Sequence, residues 1–529
     1  VTSPPPDLDA AVEQLRALVA KAARHLAAAG GPERHQVVGY DLAHAAAAAE
    51  TAHAAVEYGR RGDVETRIAA AFVADAVHDV ASRILGHEEQ FGSRPGELDD
   101  ALRVTGAWRS PEFLSQLAPE EGPRHLDDDL AMVQDTYRRF AEDRIRPVAE
   151  AVHRHNSDIP EDVIAGLAQL GTFGLSIPAD YGGISEGGEN EYLAMLVATE
   201  ELSRGSLGVG GSLITRPEIL ARALVAGGTE AQQRHWLPRI ASGEVMVAVA
   251  VTEPDFGSDV ARIRVTARPA ADGWVVNGVK TWCTFAARAD VLMLLARTDP
   301  DASLGHRGLS MFVVPKPRGE GHGFDVSQPG GGRIQGRAID TLGYRGMHSY
   351  EVSFEDWHVD GANLVGGADG LGRGFYLQMQ GFENGRLQTA GRALGVMQAA
   401  YEAARAYAGE RRVFGQPLDS HELTRVKLAR MAVVIQASRQ FAYQVARLMA
   451  RGEGAMEASL VKAYVCRAAE WVTREAMQIH GGMGYAEEFP VSRFFVDARV
   501  LSIFEGADEV LALKVIARRL VERAGQPGS

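Results

Sequence analysis

A chain of 529 residues, 46% hydrophobic and 23% charged, has an ordinary globular composition and room for roughly three or four domains. Its formal net charge of −14 excludes a general nucleic-acid binder, which needs a basic face, but not an anionic ligand held by a local arginine cluster. Two cysteines, Cys283 and Cys466, are too few for a disulfide framework or a structural zinc site. That fits a reducing cytoplasm and no bound metal. Val1 to Asp9 lack a basic-then-apolar leader, and no run of about 20 apolar residues predicts a membrane span.

Leu8 to about Leu85 is alanine-rich with helical spacing of apolar residues. Helices are predicted over Asp41–Tyr58 and Val64–Leu85, divided by Gly59-Arg60-Arg61-Gly62-Asp63 with Asp63 as N-cap. The polar stretch Gly86–Asp127 reads as a linker. Asp128–Gly171 is helical, Gly182-Gly183 marks a loop, and Glu191–Arg204 returns to helix. Short β-rich runs follow at Val245–Val251, Ile263–Ala267, Trp274–Asn277, Val291–Ala296 and Leu309–Val314. Turns at Ala271-Asp272-Gly273 and Asn277-Gly278 predict a small antiparallel barrel or sandwich. Beyond about Gly370 the chain is helical to Ala524, with breaks near 408–420 and 481–490. The expected fold is mainly α with a central β domain: a front helical extension and linker (1–125), an α domain (126–244), a β domain (245–368) and a second α domain (369–529).

A weak internal repeat aligns Gly62–Leu85 with Gly454–Met477, bringing Phe72 onto Tyr464. Alanine-rich helices match one another by chance. The other reading is that the front segment copies part of the last helical domain.

The densest chemical signal is Val251-Thr252-Glu253-Pro254-Asp255-Phe256-Gly257-Ser258-Asp259, followed by Asn277-Gly278-Val279-Lys280-Thr281-Trp282-Cys283-Thr284. Either alone could be a turn between strands. Together they resemble the two flavin-binding segments of the acyl-CoA dehydrogenases. The resemblance implies FAD bound by Val251, Thr252, Gly257 and Ser258, with Trp282 against the ring system and Thr284 near its reactive nitrogen. A planar, electron-poor ring needs an aromatic wall and fixed donors.

Further stretches match the same family in order. Arg411-Arg412-Val413-Phe414-Gly415 resembles the segment that reaches the FAD of a neighbouring subunit, where an arginine fork suits a pyrophosphate. Gln478-Ile479-His480-Gly481-Gly482 resembles a glycine turn that lets backbone approach the cofactor. Phe382-Glu383-Asn384-Gly385-Arg386 resembles the CoA-contacting segment, and Ile503-Phe504-Glu505-Gly506 the motif of the catalytic glutamate. The resemblance covers about Asp128 to Val521. It implies cofactor contacts from Arg411, Phe414, His421, Gln478, Gly481, Gly482, Ala507 and Glu509, and substrate contacts from Ser258, Glu383, Arg386 and Gly506. The chain departs from the usual pattern at Ala507 and Val413, where threonine is common, and at Glu422, where a glutamine is common. Each departure removes a possible hydrogen bond to FAD.

The implied reaction is α,β-dehydrogenation of an acyl-CoA thioester. Glu505 takes the proton beside the thioester carbonyl and the β-hydrogen leaves as hydride to the flavin. A carboxylate can do this only when partly desolvated and when the developing enolate is stabilised. Read without its neighbours, Glu505 would instead be a first-turn or capping glutamate of the last helix. An electron-transferring flavoprotein is the implied electron acceptor.

Tyr40-Asp41-Leu42-Ala43, Leu213-Ile214-Thr215-Arg216-Pro217 and Arg337 to His348 resemble the branch of this family that oxidises (2S)-methylsuccinyl-CoA to mesaconyl-C1-CoA (2-methylfumaryl-CoA) in the ethylmalonyl-CoA route. The alternatives are a fatty or branched short-chain acyl-CoA dehydrogenase, or a flavin monooxygenase or nitroalkane oxidase-like enzyme on the same fold. A dicarboxylic thioester needs a cation at the closed end of its pocket. Arg216 is the expected anchor, with Tyr344, Arg345 and His348 as competitors and a capping or surface-paired Arg216 as the bland reading. If the front segment copies the last helical domain, it should cover the surface through which dimers of this family pair into tetramers. A homodimer is then expected.

Overall fold

The computed structural model describes residues 6–525 and falls into two compact units. One is residues 134–388; the other joins the chain up to residue 133 with the chain from 389 onward. Residues 1–5 and 526–529 of the expected first and last domains lie outside the described residues.

The alanine-rich start forms three helices, α1 (Pro6–Ala28), α2 (Gln36–Gly59) and α3 (Asp63–Ile84). Alanine is the best helix former, and its small side chain lets helices approach closely. Ala43 to Ala49 of α2 are all buried. The N-cap of α3 is Gly62, not Asp63; the aspartate is the first helical residue and joins Glu65 as an acidic first turn. The stretch read as a linker is folded. It carries α4 (Asp99–Thr105) and α5 (Pro111–Leu117), with Leu98, Ala101, Leu114 and Leu117 buried. Helices of seven residues are too short to show periodicity, although the Ser110 cap before Pro111 is a start signal.

Residues 134–388 take in the end of α6 (Asp128–Phe140), then α7 (Arg146–His155), α8 (Glu161–Gln169), α9 (Glu189–Gly205), α10 (Thr215–Gly227) and α11 (Glu230–Ala241). The single helix expected to Gly171 is interrupted after α7 by left-handed Asn156 (φ +50). Eight strands follow: β1 (Val247–Ala250), β2 (Thr266–Ala270), β3 (Gly273–Thr284), β4 (Val291–Arg297), β5 (Leu309–Pro315), β6 (Gly323–Ser327), β7 (Arg333–Ile339) and β8 (Ser349–Asp360). They form one sheet in the order β1-β4-β2-β3-β8-β7-β6, with β5 beside β4. The sheet is mixed rather than purely antiparallel, because β4 runs parallel to β1 and β2. Asn277-Gly278 is not a turn. It sits inside β3 at a bulge where the pairing with β8 shifts, and Gly278 takes φ +130. Asn277 exchanges two hydrogen bonds of 2.9 Å with Asp356 across this bulge.

The last helices are α12 (Gly374–Glu410), α13 (Glu422–Ala450), α14 (Ala455–His480), α15 (Pro490–Leu501), α16 (Asp508–Val510) and α17 (Arg518–Ala524). Within the unit that holds both chain ends, α2 packs on α13 and α14, α3 and α5 on α13, and α1 on α17. The rings of Phe72 and Tyr464 meet edge to face, 5.6 Å apart. Among the described residues, no helix is long and apolar enough to cross a membrane, and no cluster of three or more His, Cys, Asp or Glu side chains could hold a metal.

Candidate active site

In the unit of residues 134–388 the two glycine- and threonine-rich segments are neighbours. The Thr281 N–H donates to the Thr252 carbonyl at 2.8 Å. Beneath this bond Lys280, fully buried, pairs with Glu253 at 2.9 Å and donates to the Val251 carbonyl at 2.8 Å. Glu253 also accepts from the N–H groups of Arg264 (2.7 Å) and Val265 (2.8 Å). Burial pushes the Lys280 ammonium down to about 8, against the pull of Glu253. The ion pair therefore ties the loop from Val251 to Ser258 to β3. Above it, Trp282 takes a left-handed backbone (φ +57) and is 54% exposed, between buried Thr281 and Cys283. Gly257 and Ser258 are exposed, and the Thr284 hydroxyl lies 3.0 Å from that of Ser349. A large aromatic held out of the core beside small, hydroxyl-rich backbone fits a flat cofactor ring.

The same unit holds the candidate carboxylate anchors. Arg216 lies in the first turn of α10, is 7% exposed, donates to the Ser212 carbonyl at 3.2 Å and stands 5.9 Å from the Tyr344 ring. It is neither a surface residue nor a carboxylate's partner among the described residues. Two of the competitors are engaged elsewhere, while Tyr344 faces Arg216 itself. Arg345 donates to the carbonyls of Thr341 (3.1 Å) and His153 (2.9 Å), and His348 lies 3.2 Å from Asp158. Arg386 is half-buried on α12, and the side chain of Glu383 lies outside the described residues.

In the other unit, Arg412–Val413 and Gln416–Pro417 form a hairpin whose tip, Phe414 (φ +50) and Gly415 (φ +83), has the two left-handed residues of a tight turn. Phe414 is 94% exposed, Arg411 is exposed at the hairpin's start, and His421 lies 3.3 Å from the Val413 carbonyl. Gln478 is exposed near the end of α14. Gly481 (φ +60) and Gly482 follow, and a Cβ at either would meet nothing within 4 Å. That leaves bare backbone open to a ligand.

Glu505 lies in the loop between α15 and α16, two residues before the Ala507 cap of α16, so it is not that helix's capping or first-turn residue. Its backbone is left-handed (φ +53), a conformation that costs a non-glycine residue about 1–3 kcal/mol, and Gly506 follows at φ +100. The carboxylate accepts from Thr389 Oγ1 at 2.9 Å and from Arg392 Nη2 at 2.8 Å. Arg392 is fully buried, its guanidinium 4.7 Å from the Phe504 ring. Lys462, also buried, donates to the Gly506 carbonyl at 2.5 Å. Glu509 is exposed beyond Ala507.

Sequence reasoning missed Arg392, Thr389 and Lys462. One signal was present: arginine and lysine at positions otherwise occupied by buried apolar residues of α12 and α14.

Comparison with known proteins matches the descriptions "Acyl-CoA dehydrogenase, N-terminal domain" to residues 127–244, "middle domain" to 248–357 and "C-terminal domain" to 372–521. The (2S)-methylsuccinyl-CoA dehydrogenase of Cereibacter sphaeroides is 45% identical over 403 residues, 76% of this chain and 71% of that protein. The solved glutaryl-coenzyme A dehydrogenase–glutaryl-CoA complex is 31% identical and aligns over 77% of this chain and 98% of that one, with a TM-score of 0.69. A glutaryl-CoA dehydrogenase of Mycobacterium smegmatis in complex with FADH2 is 26% identical over 76% of this chain and 96% of that one, with a TM-score of 0.67. With the flavin-type segments side by side, a buried arginine on the motif glutamate and three successive domain matches, the chain belongs to the acyl-CoA dehydrogenases, FAD-dependent oxidoreductases acting on the CH–CH bond of acyl-CoA thioesters.

Proposed function

We propose that this enzyme oxidises (2S)-methylsuccinyl-CoA to mesaconyl-C1-CoA, as a step of the ethylmalonyl-CoA route. The observation that carries the reading is Arg216, a buried guanidinium bonded to a backbone carbonyl and facing an aromatic ring, with no carboxylate partner among the described residues. Burying an unpaired cation is costly, and a substrate carboxylate would complete it. The 45% identity to the Cereibacter sphaeroides enzyme points the same way. A panel of CoA thioesters assayed with an artificial electron acceptor tests this. Methylsuccinyl-CoA of the 2S form should exceed its enantiomer and straight-chain monocarboxylic thioesters in kcat/KM. A preference for butyryl-CoA would favour the fatty acyl reading instead.

In this reading Glu505 is the base. Arg392 and Thr389 orient its carboxylate, while the Glu505 N–H joins in holding the thioester oxygen. Val251, Thr252, Gly257, Ser258, Trp282 and Thr284 hold the flavin, and Gln478, Gly481, Gly482, Ala507 and Glu509 complete the cofactor contacts. Ser258, Glu383, Arg386 and Gly506 are assigned to substrate binding. The flavin supplies the hydride acceptor, and an electron-transferring flavoprotein takes the electrons on. The exposed Phe414 hairpin, with Arg411 and His421, serves the FAD of a second copy in a homodimer. The free, buried Cys283 and Cys466 suit a reducing cytoplasm.

A further inference from the structure

The loop that carries Glu505 is fixed at several points. Its ends are closed by the Asp508 N–H donating to the Ser502 carbonyl at 3.0 Å, and the Ser502 hydroxyl donates to Glu470 at 2.5 Å. Thr389 and Arg392 hold the Glu505 carboxylate, and Lys462 holds the Gly506 carbonyl. All of these come from the chain beyond residue 388.

One further fixed point comes from the front segment. Tyr40 Oη donates to Asp508 Oδ2 at 2.6 Å, and His44 Nε2, one helical turn on, stands 3.2 Å from the same oxygen. The two rings meet edge to face at 4.5 Å, and the Arg467 guanidinium lies 6.0 Å from the Tyr40 ring. His44 is 4% exposed and the Asp508 side chain 13%, while Tyr40 is half-buried. Burial, together with the Asp508 hydrogen bond, pushes the Tyr40 phenol up to about 12. Burial lowers His44 despite the nearby carboxylate, while the Tyr40 and His44 contacts keep Asp508 below its ordinary value despite burial. A neutral imidazole and a phenol therefore face a carboxylate that stays ionised. The front segment also packs closely just beyond the loop, since a Cβ at Gly39 would come 3.2 Å from the Leu513 side chain.

We propose that Tyr40 and His44 are positioning residues for the dehydrogenation, acting through Asp508 on the loop that aims the Glu505 carboxylate. The inference rests on Glu505 being the base. A left-handed glutamate followed by a left-handed glycine has little local reason to hold one geometry. A restraint three residues downstream limits how far the carboxylate can drift, and small misplacements of a reacting group cost rate steeply. The front segment then does more than cover apolar surface: it holds part of the reaction geometry.

The test uses the full-length flavin-loaded enzyme and a substrate deuterated at the α-carbon. Tyr40→Phe and Asp508→Ala should keep bound FAD and change KM little, while kcat falls ~10-fold or more. Their steady-state α-deuterium isotope effect should rise, because C–H cleavage becomes more nearly rate-limiting. Asp508→Asn, which keeps an acceptor oxygen, should recover much of the rate. Asp75→Asn is the control. Asp75 accepts from Arg109 at 2.6 Å and Arg430 at 3.4 Å, joining the front segment to α13 without bonding Tyr40, His44 or Asp508. It should lower the melting temperature and leave the isotope effect alone. Unchanged kcat and isotope effect in both Tyr40→Phe and Asp508→Ala, beside an inactive Glu505→Gln, would overturn the proposal. A raised isotope effect in Asp75→Asn would overturn it too, by reducing the effect to loose packing. An active Glu505→Gln would instead overturn the base assignment on which it stands.

Discussion

Phe72 and Tyr464, which the internal repeat aligns with each other, pack ring against ring at 5.6 Å. Residues that lie on a two-fold axis meet their own equivalents across it. Around that pair the front helices lie against the same two helices of the last domain: α2 packs on α13 and α14, and α3 on α13. If the front segment copies the last helical domain, it covers a surface through which another subunit would otherwise pack. Light scattering should give the mass of two chains. A truncation starting near Asp127 should aggregate or associate further. Four chains for the full-length protein, or a clean stable dimer for the truncation, would defeat this account.

Glu505→Gln should retain FAD and lose dehydrogenation by at least ~10²-fold, because the amide keeps the shape without accepting the proton. Flavin absorbance and turnover, measured on the same preparation, separate the two effects.

Arg392→Ala should destabilise the protein by about 3–5 kcal/mol, the usual cost of removing one partner of a buried ion pair. The carboxylate left behind is the source of that cost. In a Glu505→Gln background the same substitution should therefore cost less, which denaturant melts of the four proteins in the cycle would reveal.

Arg216→Ala should raise KM for methylsuccinyl-CoA by ~30-fold or more, as expected when a buried charged hydrogen-bond partner is truncated. Monocarboxylic thioesters should not suffer that loss. An unchanged KM for the dicarboxylic thioester would dismiss Arg216 as its anchor.

Asp158 offers a test by pH. Burial raises its carboxyl, but His348 at 3.2 Å and the Gly321 N–H at 3.1 Å outweigh it, so the folded value lies below the ordinary one. A depressed carboxylate stabilises the fold above its unfolded value of about 3.9, and that stabilisation disappears as pH falls through the folded value. Asp158→Asn should lower the melting temperature near neutrality, and the gap to wild type should narrow below about pH 4.

Much of the candidate site was legible because the chemistry fixes residue types at short spacing. Trp282 and Thr284 lie two apart on one strand, and Glu505 and Gly506 are adjacent. The supports were not legible. Lys462 is 44 positions from Gly506, Arg392 113 from Glu505, and Tyr40 468 from Asp508, so no local pattern joins them. The same distinction holds for the fold. Val291–Ala296 of β4 is a continuous buried apolar run and was read directly. β7 has a single buried residue, Ile334, and looks like loop until β8 pairs with it. Asn277-Gly278 misled because its dipeptide is the common hairpin signal, whereas here the glycine serves a bulge.

Trp282 also provides an optical handle. The chain has six tryptophans, and Trp282 is the one held furthest into solvent, at 54% exposure. Stripped of flavin, the protein should show a red-shifted emission component that Trp282→Phe removes. Adding FAD back should quench that component, so the reassembly of the holoenzyme can be followed by fluorescence without any substrate.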